Sequence, residues 1–390
     1  MRSSSHSSED YPQKKKGKGG RIAATIISVI LGLAIGVFGF LYWYKNYLFS
    51  NVTFVTAPPE GPTLVNEAGH IVNLNDLRET TIYEPIDTED EIHNFLLIGI
   101  DSRSRNYNET GTGGLSDVTM IMSVNITQGT IKLVSIARDS YVHVPGYSYA
   151  MKINAAMSRG GPDVLCATVE DTLRLNIDGW AYVNFYHMAD IIDAVGGVYC
   201  DVSSSELNSE GGLNWNLAEV NNLMGLPPSQ DAVTNTGYIW LNGRQAVAYA
   251  RIRKVDSDYK RSERQVEVLR SLMSQFMQLS LAGKASALPN ILQAITTNIP
   301  QDQIENYAYN FLPSLPNATI EYMQLPIQGC FNSGMFGDEW SIRPNWNGMI
   351  PYVQEFFYGE TTEFDPVPDI SSSPALSSCP TDLSLEELMK

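Results

Sequence analysis

Asn94-Phe95-Leu96-Leu97-Ile98-Gly99-Ile100-Asp101 is a short apolar run broken only by a glycine and closed by a carboxylate. An uninterrupted run of this length is the pattern of a strand buried on both faces, which requires helices on both sides of a sheet. Two similar runs follow. Asp117 heads the first, residues 118–124, and the second, residues 131–136, leads into Arg138-Asp139. Three strands thus deliver Asp101, Asp117, Arg138 and Asp139 to strand ends, where α/β proteins place their sites. Helical periodicity recurs at 162–175 and 186–195, with a strand at 181–185 between them, and Gly196-Gly197 turns the chain into a strand at 198–202. Residues 203–238 are polar and rich in Ser, Asn and Gly, which reads as a long loop or insertion. A helix at 243–250 and an amphipathic one at 262–281 come next. Helical patterns at 285–297 and 301–312, a strand at 320–325 and a last helix near 347–358 complete the domain. The expected class is α/β, an α-β-α sandwich-like arrangement with a central mixed sheet flanked by helices.

The chain has 390 residues, 43% of them hydrophobic, enough to bury a sizeable core in one large domain with appendages. Residues 1–21 are a basic tail without apolar periodicity, which reads as disordered. From Ile22 to Tyr44 the chain carries no charge, and its length matches a helix that crosses a bilayer. Lys14, Lys15, Lys16, Lys18 and Arg21 precede it, and Tyr42, Trp43 and Tyr44 end it as an interfacial belt. The expected orientation is therefore N-terminus in the cytoplasm and everything after Lys45 outside, on a permanent anchor. The run is too long for a cleaved signal peptide, and no Ala-x-Ala-like site follows it closely. The expected organisation is then a stalk over 45–92, a catalytic domain over 93–358, and an acidic, Pro- and Ser-rich tail over 359–390.

Charge narrows the function. The chain holds 26 Lys and Arg against 43 Asp and Glu. Residues 1–21 take six of the cations and two of the anions, leaving 20 against 41, a net of −21 for the remainder. So acidic a domain does not bind nucleic acid through counterion release. Cys166, Cys200, Cys330 and Cys379 fit no zinc spacing, and outside the cell they can form disulfides. Four cysteines permit three connectivities, and a Cys330–Cys379 bridge would pin the tail to the domain.

Against that acidic background, residues 249–265 stand out, with Arg251, Arg253, Lys254, Lys260, Arg261 and Arg264 in one short segment. Clustered guanidiniums repel one another unless an anion lies between them, and the planar multi-donor guanidinium suits phosphate oxygens. Asp256, Asp258 and Glu263 neutralise part of the charge in the alternative reading, a solvated helix face. Two carboxylates at neighbouring strand ends, beside several Arg, are what a divalent-metal phosphate site requires; such hard oxygen donors suit Mg²⁺ or Mn²⁺.

These motifs resemble the LytR-CpsA-Psr family over about residues 94–358. They are Asn94 to Arg103; Ser116-Asp117-Val-Thr-Met120; Ser135-Ile-Ala-Arg138-Asp139-Ser-Tyr-Val142; Lys152-Ile-Asn154; Gly196-Gly197-Val198; and Leu241 to Ala246, leading into Tyr249-Ala-Arg251-Ile-Arg253 and Arg261-Ser-Glu-Arg264-Gln265. The resemblance implies an extracytoplasmic ligase of Gram-positive bacteria. Such an enzyme transfers a glycopolymer, teichoic acid or capsule, from a polyprenyl-pyrophosphate or related lipid-phosphate carrier to peptidoglycan, forming a phosphodiester and releasing polyprenyl phosphate. By the same resemblance Asp101 and Asp117 hold Mg²⁺. Arg138, Lys152, Arg251, Arg253, Arg261 and Gln265 clasp the pyrophosphate, with Asp258 close by to orient Arg261 or accept a proton. The polyprenyl tail needs an apolar tunnel, expected between the sheet and helices such as 164–175 and 266–277. Two departures from the family pattern stand out. Leu115 replaces an Arg two residues before the second metal carboxylate, which Arg103 or Arg105 would have to replace, and Ala137 replaces a Pro.

His143 and His187 come with no Gly-x-Ser-x-Gly elbow, and no P-loop is present. Two rival functions remain. One is a lipid-pyrophosphate phosphatase with water as acceptor, the other a non-catalytic envelope regulator of the transcriptional-attenuator type.

Overall fold

In a computed structural model of the chain, the three apolar runs form neighbouring strands. The structure describes residues 43–50, 52–56, 61–78, 92–100, 114–311, 318–336, 338–368 and 379–380. The chain divides into two units, Met1–Ser50 and Asn51–Lys390. In the first, residues 43–49 are helical and Trp43 stacks on Tyr47 with ring centroids 5.7 Å apart. The expected transmembrane helix, Ile22–Tyr44, lies outside the described residues except for Trp43 and Tyr44. Among the described residues, no helix is long and apolar enough to cross a membrane.

The second unit opens with strand β1 (Thr53–Phe54), the hairpin β2 (Thr63–Val65) and β3 (Ile71–Asn73), and helix α1 (Leu74–Arg78). Then come β4 (Ile92–Ile100), β5 (Ser116–Asn125), β6 (Thr130–Ile136) and the small pair β7 (Tyr141–His143) and β8 (Ala150–Lys152). Helix α2 (Ile153–Leu173), β9 (Gly179–Asn184), α3 (Phe185–Ala194) and β10 (Val198–Val202) follow. After them lie α4 (Ser204–Asn208), α5 (Leu213–Leu223), β11 (Gly237–Leu241), α6 (Gly243–Ala250), α7 (Asp258–Gln278) and α8 (Leu281–Gln293). The chain closes with β12 (Thr296–Thr297), α9 (Gln301–Phe311), β13 (Thr319–Leu325), the hairpin β14 (Phe331–Phe336) and β15 (Glu339–Pro344), and α10 (Trp346–Tyr358).

The main sheet has the order β1-β12-β9-β4-β5-β6-β13. It is mixed: β4 runs parallel to β9 but antiparallel to β5, and β6 runs antiparallel to β5 but parallel to β13. Alternation along β4 sets its two faces. Leu96, Ile98 and Ile100 join the core that contains α2 and α10, whereas Leu97 packs with Met120, Leu133 and Val266 of α7 on the opposite side. Both faces are covered, which is why β4 reads as a solid apolar run. Val164, Leu165, Val169 and Leu173 of α2 are fully buried. At about 1.5–3 kcal/mol per buried side chain, an upper figure because denatured chains already bury some surface, this one helix contributes on the order of 10 kcal/mol before entropy.

Helix α2 starts earlier than its pattern suggests. Residues 153–159 form a first segment, and Gly160 and Gly161 break it, Gly161 at φ 78°. Pro162 restarts it with the fixed φ of a first helical turn, so the periodicity is legible only from there. A Cβ on Gly160 would come within 2.4 Å of Val164 and 3.0 Å of Leu64, so the break also lets β2 approach the helix.

Two stretches correct the sequence reading. Residues 203–238 are not one long loop: they contain α4, α5 and β11, whose Leu207, Leu213, Leu217, Val220 and Leu241 enter a second core beside α3 and α6. Their polar outer faces diluted the apolar pattern. Part of the span read as stalk also packs on the domain: Thr53–Phe54 pairs with β12 at the sheet edge, and Leu64 and Leu74 are 2% exposed in the main core.

Cys330 and Cys379 form a disulfide, and neither Cys166 nor Cys200 takes part in one. Of the three possible connectivities this is the one that pins the tail, with Cys379 packed against Gly348 at the start of α10. The bridge closes 49 residues, for which loop entropy alone gives roughly 4 kcal/mol. Cys379→Ser is expected to lower stability by about 2–4 kcal/mol, read as a lower denaturant midpoint relative to the oxidised wild type; equal midpoints contradict a structural role for the bridge.

Candidate functional site

The antiparallel register builds the polar centre. Thr119 of β5 pairs with Ile136 of β6, so continuing that register past the strand end sets Asp117 opposite Arg138. The Arg138 guanidinium donates from Nη1 to Oδ1 of Asp117, and its Nε lies 3.4 Å from Asp139 Oδ2. The β7–β8 pair then places Lys152 opposite Tyr141. Its Nζ reaches Asp139 Oδ1 at 3.1 Å and Glu339 Oε1 of β15 at 3.0 Å. Burial disfavours the Lys152 ammonium, but hydrogen bonds and charge from Glu339 and Asp139 outweigh it and raise its pKa. Lys152 therefore stays cationic at any pH the domain meets. Asp139 is buried, and both its oxygens are committed to cations of the protein. Asp117 is more open, with a side-chain exposure of 30%.

Helix α6 and the segment after it supply the second wall. Asn242 caps α6 in a reciprocal pair: its side chain accepts from the Gln245 N–H at 3.0 Å, and Gln245 Oε1 accepts from the Asn242 N–H at 2.8 Å. Gly243 is obligatory at the first helical position, because a Cβ there would lie 2.1 Å from the Ala189 carbonyl oxygen of α3. The helix ends at Ala250, and Arg251 occupies its C-cap, where the carbonyl end of the dipole favours a cation. Arg251 lies 3.7 Å from Glu219 of α5 and 5.3 Å from the Phe185 ring centroid.

Ser257 caps α7 by accepting from the Lys260 N–H at 3.3 Å. Arg261, Gln265, Val268, Leu269 and Leu272 then share one face at helical spacing, and all border the same cavity. Arg261 is 4% exposed and donates to the Asp117 carbonyl oxygen at 3.2 Å, tying α7 to the start of β5. Gln265 donates to the Ala250 carbonyl oxygen at 3.5 Å. Tyr259 donates to the Pro326 carbonyl oxygen at 2.7 Å and stacks on Phe331 of β14, joining the helix start to that hairpin.

These walls enclose a cavity of about 1680 Å³. Part of its lining is ionic: the cations Arg138, Lys152, Arg251, Arg253, Lys254 and Arg261 and the carboxylates Asp117, Asp139, Glu219 and Asp256. The remainder is apolar. Leu97, Val118, Met120, Ala181 and Val183 form its floor from the sheet, and Phe185, Met188, Ile192, Val247, Leu272 and Ile291 its roof from α3, α6, α7 and α8. A pocket this large, mostly apolar with ionic groups in part of its lining, suits an amphipathic anion.

Of the residues singled out in the sequence, Asp117, Arg138, Lys152, Arg251, Arg253, Arg261 and Gln265 line this cavity together. Asp101, Arg103 and Arg105 lie outside the described residues; Asp258 is the first residue of α7, and its side chain is not described. Leu115 is half-exposed two residues before Asp117. The expected helical lining is corrected in part. The α7 face contributes, but residues 164–173 of α2 belong to the core on the other side of the sheet. Sequence reasoning missed Glu219, Trp215, Trp340 and Glu339, which belong to segments with no motif of their own. Arg264 is a different case. It is buried, donates from Nε to Glu206 at 2.6 Å and from Nη1 to the Ile252 carbonyl oxygen at 3.2 Å, and pairs with Asp256, so it braces the wall instead of facing the cavity.

A divalent cation can be tested against the donor set. Among the described residues no group of three or more His, Cys, Asp or Glu is placed to hold a metal. Asp117 supplies a hard oxygen beside ample room, which fits an ion such as Mg²⁺ that takes one or two carboxylates and fills its shell with water and phosphate oxygens.

The fold and cavity thus define an α/β protein with a large, mostly apolar cavity bordered by ionic side chains. Comparison with known proteins agrees with that class: residues 66–348 match the LytR_cpsA_psr family, and the chain belongs to it. A polyisoprenyl-teichoic acid–peptidoglycan teichoic acid transferase TagU of Oceanobacillus iheyensis is 30% identical over 239 residues, 59% of this chain and 66% of that protein. The TagU of Enterococcus faecalis is 31% identical over 291 residues, 73% of this chain and 80% of the relative. Among solved structures, Bacillus subtilis TagV superposes with a TM-score of 0.53 at 25% identity, covering 70% of this chain and all of that one.

Proposed function

We propose that this chain is a membrane-anchored extracytoplasmic phosphotransferase, which moves a glycopolymer from a polyprenyl-pyrophosphate or related lipid-phosphate carrier to peptidoglycan. The observation that carries the proposal is the single cavity with a cationic region and a large apolar body. The names of the transferase relatives support the same reading. The anchor is the run Ile22–Tyr44, with the N-terminus in the cytoplasm and the domain outside.

The isoprenoid occupies the apolar body, where each buried CH₂ is worth about 0.8 kcal/mol. Its pyrophosphate then lies against Arg138, Lys152, Arg251, Arg253, Arg261 and Gln265. A hydroxyl oxygen of peptidoglycan forms a bond to the phosphorus that bears the glycopolymer, the pyrophosphate P–O bond breaks, and polyprenyl phosphate leaves. The hydroxyl proton passes to a carboxylate at the polar region, for which Asp258 at the start of α7 is the candidate. Phosphoryl transfer asks a protein mainly for positioning and charge neutralisation, and fixed guanidiniums in a dry site supply both. Asp117, together with Asp101, is the candidate holder of Mg²⁺, which when bound neutralises charge on the phosphate oxygens. Arg138, paired with Asp117, holds that carboxylate in place.

A polyprenyl pyrophosphate with a photoreactive group at its isoprenoid end tests the assignment of the cavity. After irradiation of the full chain in lipid nanodiscs, adducts are expected on α7 and α8 near Leu272 and Ile291. Labelling confined to the protein surface contradicts the proposal.

A further inference from the structure

Two large indoles border the same cavity in a way the lipid and its phosphates do not explain. Trp215 of α5 is 50% exposed and Trp340 of β15 is 41% exposed, and both contribute to the lining. Isolated exposed aromatics are ordinary on a protein surface, but each of these is fixed beside the cation cage by a neighbour. Glu219, one turn after Trp215, pairs with Arg251, and Glu339, next to Trp340, pairs with Lys152. Strand alternation sets Trp340 and Ile342 on one side of β15 and Glu339 on the other; Trp340, Ile342 and Ser333, which pairs with Ile342, all border the cavity. The Lys254 ammonium lies over the Trp215 ring, 5.1 Å from its centroid.

An indole offers a phosphate only its one N–H donor and no charge, and an isoprenoid belongs in the apolar body. A flat aromatic face with a negative quadrupole suits the C–H-bearing face of a pyranose ring, whose hydroxyls turn outward to polar groups and water. We propose that Trp215 and Trp340 form a carbohydrate subsite, stacking against the pyranose rings next to the phosphates in the cage. This rests on the transferase reading for the source of the sugar, not for its chemistry. It makes these two residues determinants of which donor is accepted, a role separate from that of the cations.

The test compares two ligands on the full chain in nanodiscs: a farnesyl pyrophosphate bearing N-acetylglucosamine on its terminal phosphate, and farnesyl pyrophosphate alone. The ratio of their affinities isolates the sugar. Wild type is expected to prefer the sugar-bearing ligand by about tenfold. Trp215→Ala and Trp340→Ala are each expected to lose most of that preference while binding the sugar-free ligand within about twofold of wild type. Trp→Tyr at either position keeps a flat face and is expected to retain the preference. Trp→Leu keeps apolar bulk without the face and is expected to lose it, which separates stacking from packing should an alanine variant misfold. An unchanged ratio in either alanine variant overturns the proposal. Tight binding of the sugar-free ligand by wild type with no preference for the sugar overturns the subsite alone. Failure of wild type to bind either ligand overturns the transferase reading with it.

Discussion

Asp117→Asn is expected to reduce polymer transfer by about a thousandfold or more, with the fold intact. The substitution keeps the shape and an acceptor oxygen for Arg138 but removes the charge. Asp139 is 6% exposed with both oxygens spent on Arg138 and Lys152, whereas Asp117 is the more exposed of the two and borders the cavity. Loss of one preorganised charged group from a phosphoryl-transfer site costs on the order of 3–4 kcal/mol of transition-state stabilisation. The stability cost is small by comparison, since a pair that is 30% exposed on the Asp117 side is screened by solvent. The check is a turnover measurement beside a thermal melt. Activity within tenfold of wild type at an unchanged melting temperature removes Asp117 from the reaction.

Arg264→Ala should do the opposite, costing stability before chemistry. Its side chain is 3% exposed and serves Glu206, Asp256 and the Ile252 carbonyl at once, pinning the Arg251–Ser257 segment between α4 and α7. Removal leaves the Glu206 carboxylate, 13% exposed, without its guanidinium, a change worth about 3 kcal/mol or more. At roughly 2–4 °C per kcal/mol for a large domain, the melting temperature should fall by about 6–12 °C. Arg264→Lys recovers little, because an ammonium cannot reproduce the fork. The effect also depends on pH. Burial raises the Glu206 pKa, but hydrogen bonds from Ser203 and the Arg264 guanidinium outweigh it and hold it below the usual carboxylate value. A group depressed in this way stabilises the fold above its unfolded pKa, and the contribution is lost as pH falls through the folded one. The gap between wild type and variant should therefore narrow under acid; a gap independent of pH contradicts the ion-pair account.

Much of this was legible in the sequence, for identifiable reasons. Phe95–Ile100 was readable as a buried strand because both faces of β4 are covered. The arginines that line the cavity stood out because they cluster in an otherwise acidic chain. What the sequence hid lies where pattern and structure part company. Residues 203–238 look like loop because α4 and α5 bury only a narrow stripe, Leu207, Leu213, Leu217 and Val220, under polar faces. Arg264 and Arg261 sit three residues apart in one motif, yet one props the wall and the other lines the cavity, a difference set by helical phase against β5 and α4. Trp215 and Trp340 gave no signal at all: each acquires meaning only from the cavity that α5 and the β14–β15 hairpin bring around them.

The most direct measurement of the central claim is transfer itself. The full chain would be incubated with a labelled polyprenyl-pyrophosphate-linked saccharide and peptidoglycan oligomers, with and without Mg²⁺, alongside Arg251→Ala. The account predicts label attached to peptidoglycan through a phosphodiester, dependent on Mg²⁺ and lowered at least a hundredfold in the variant, as for loss of one charge-stabilising donor. Phosphate release without attachment to peptidoglycan, or binding of the lipid with no turnover at all, would contradict it.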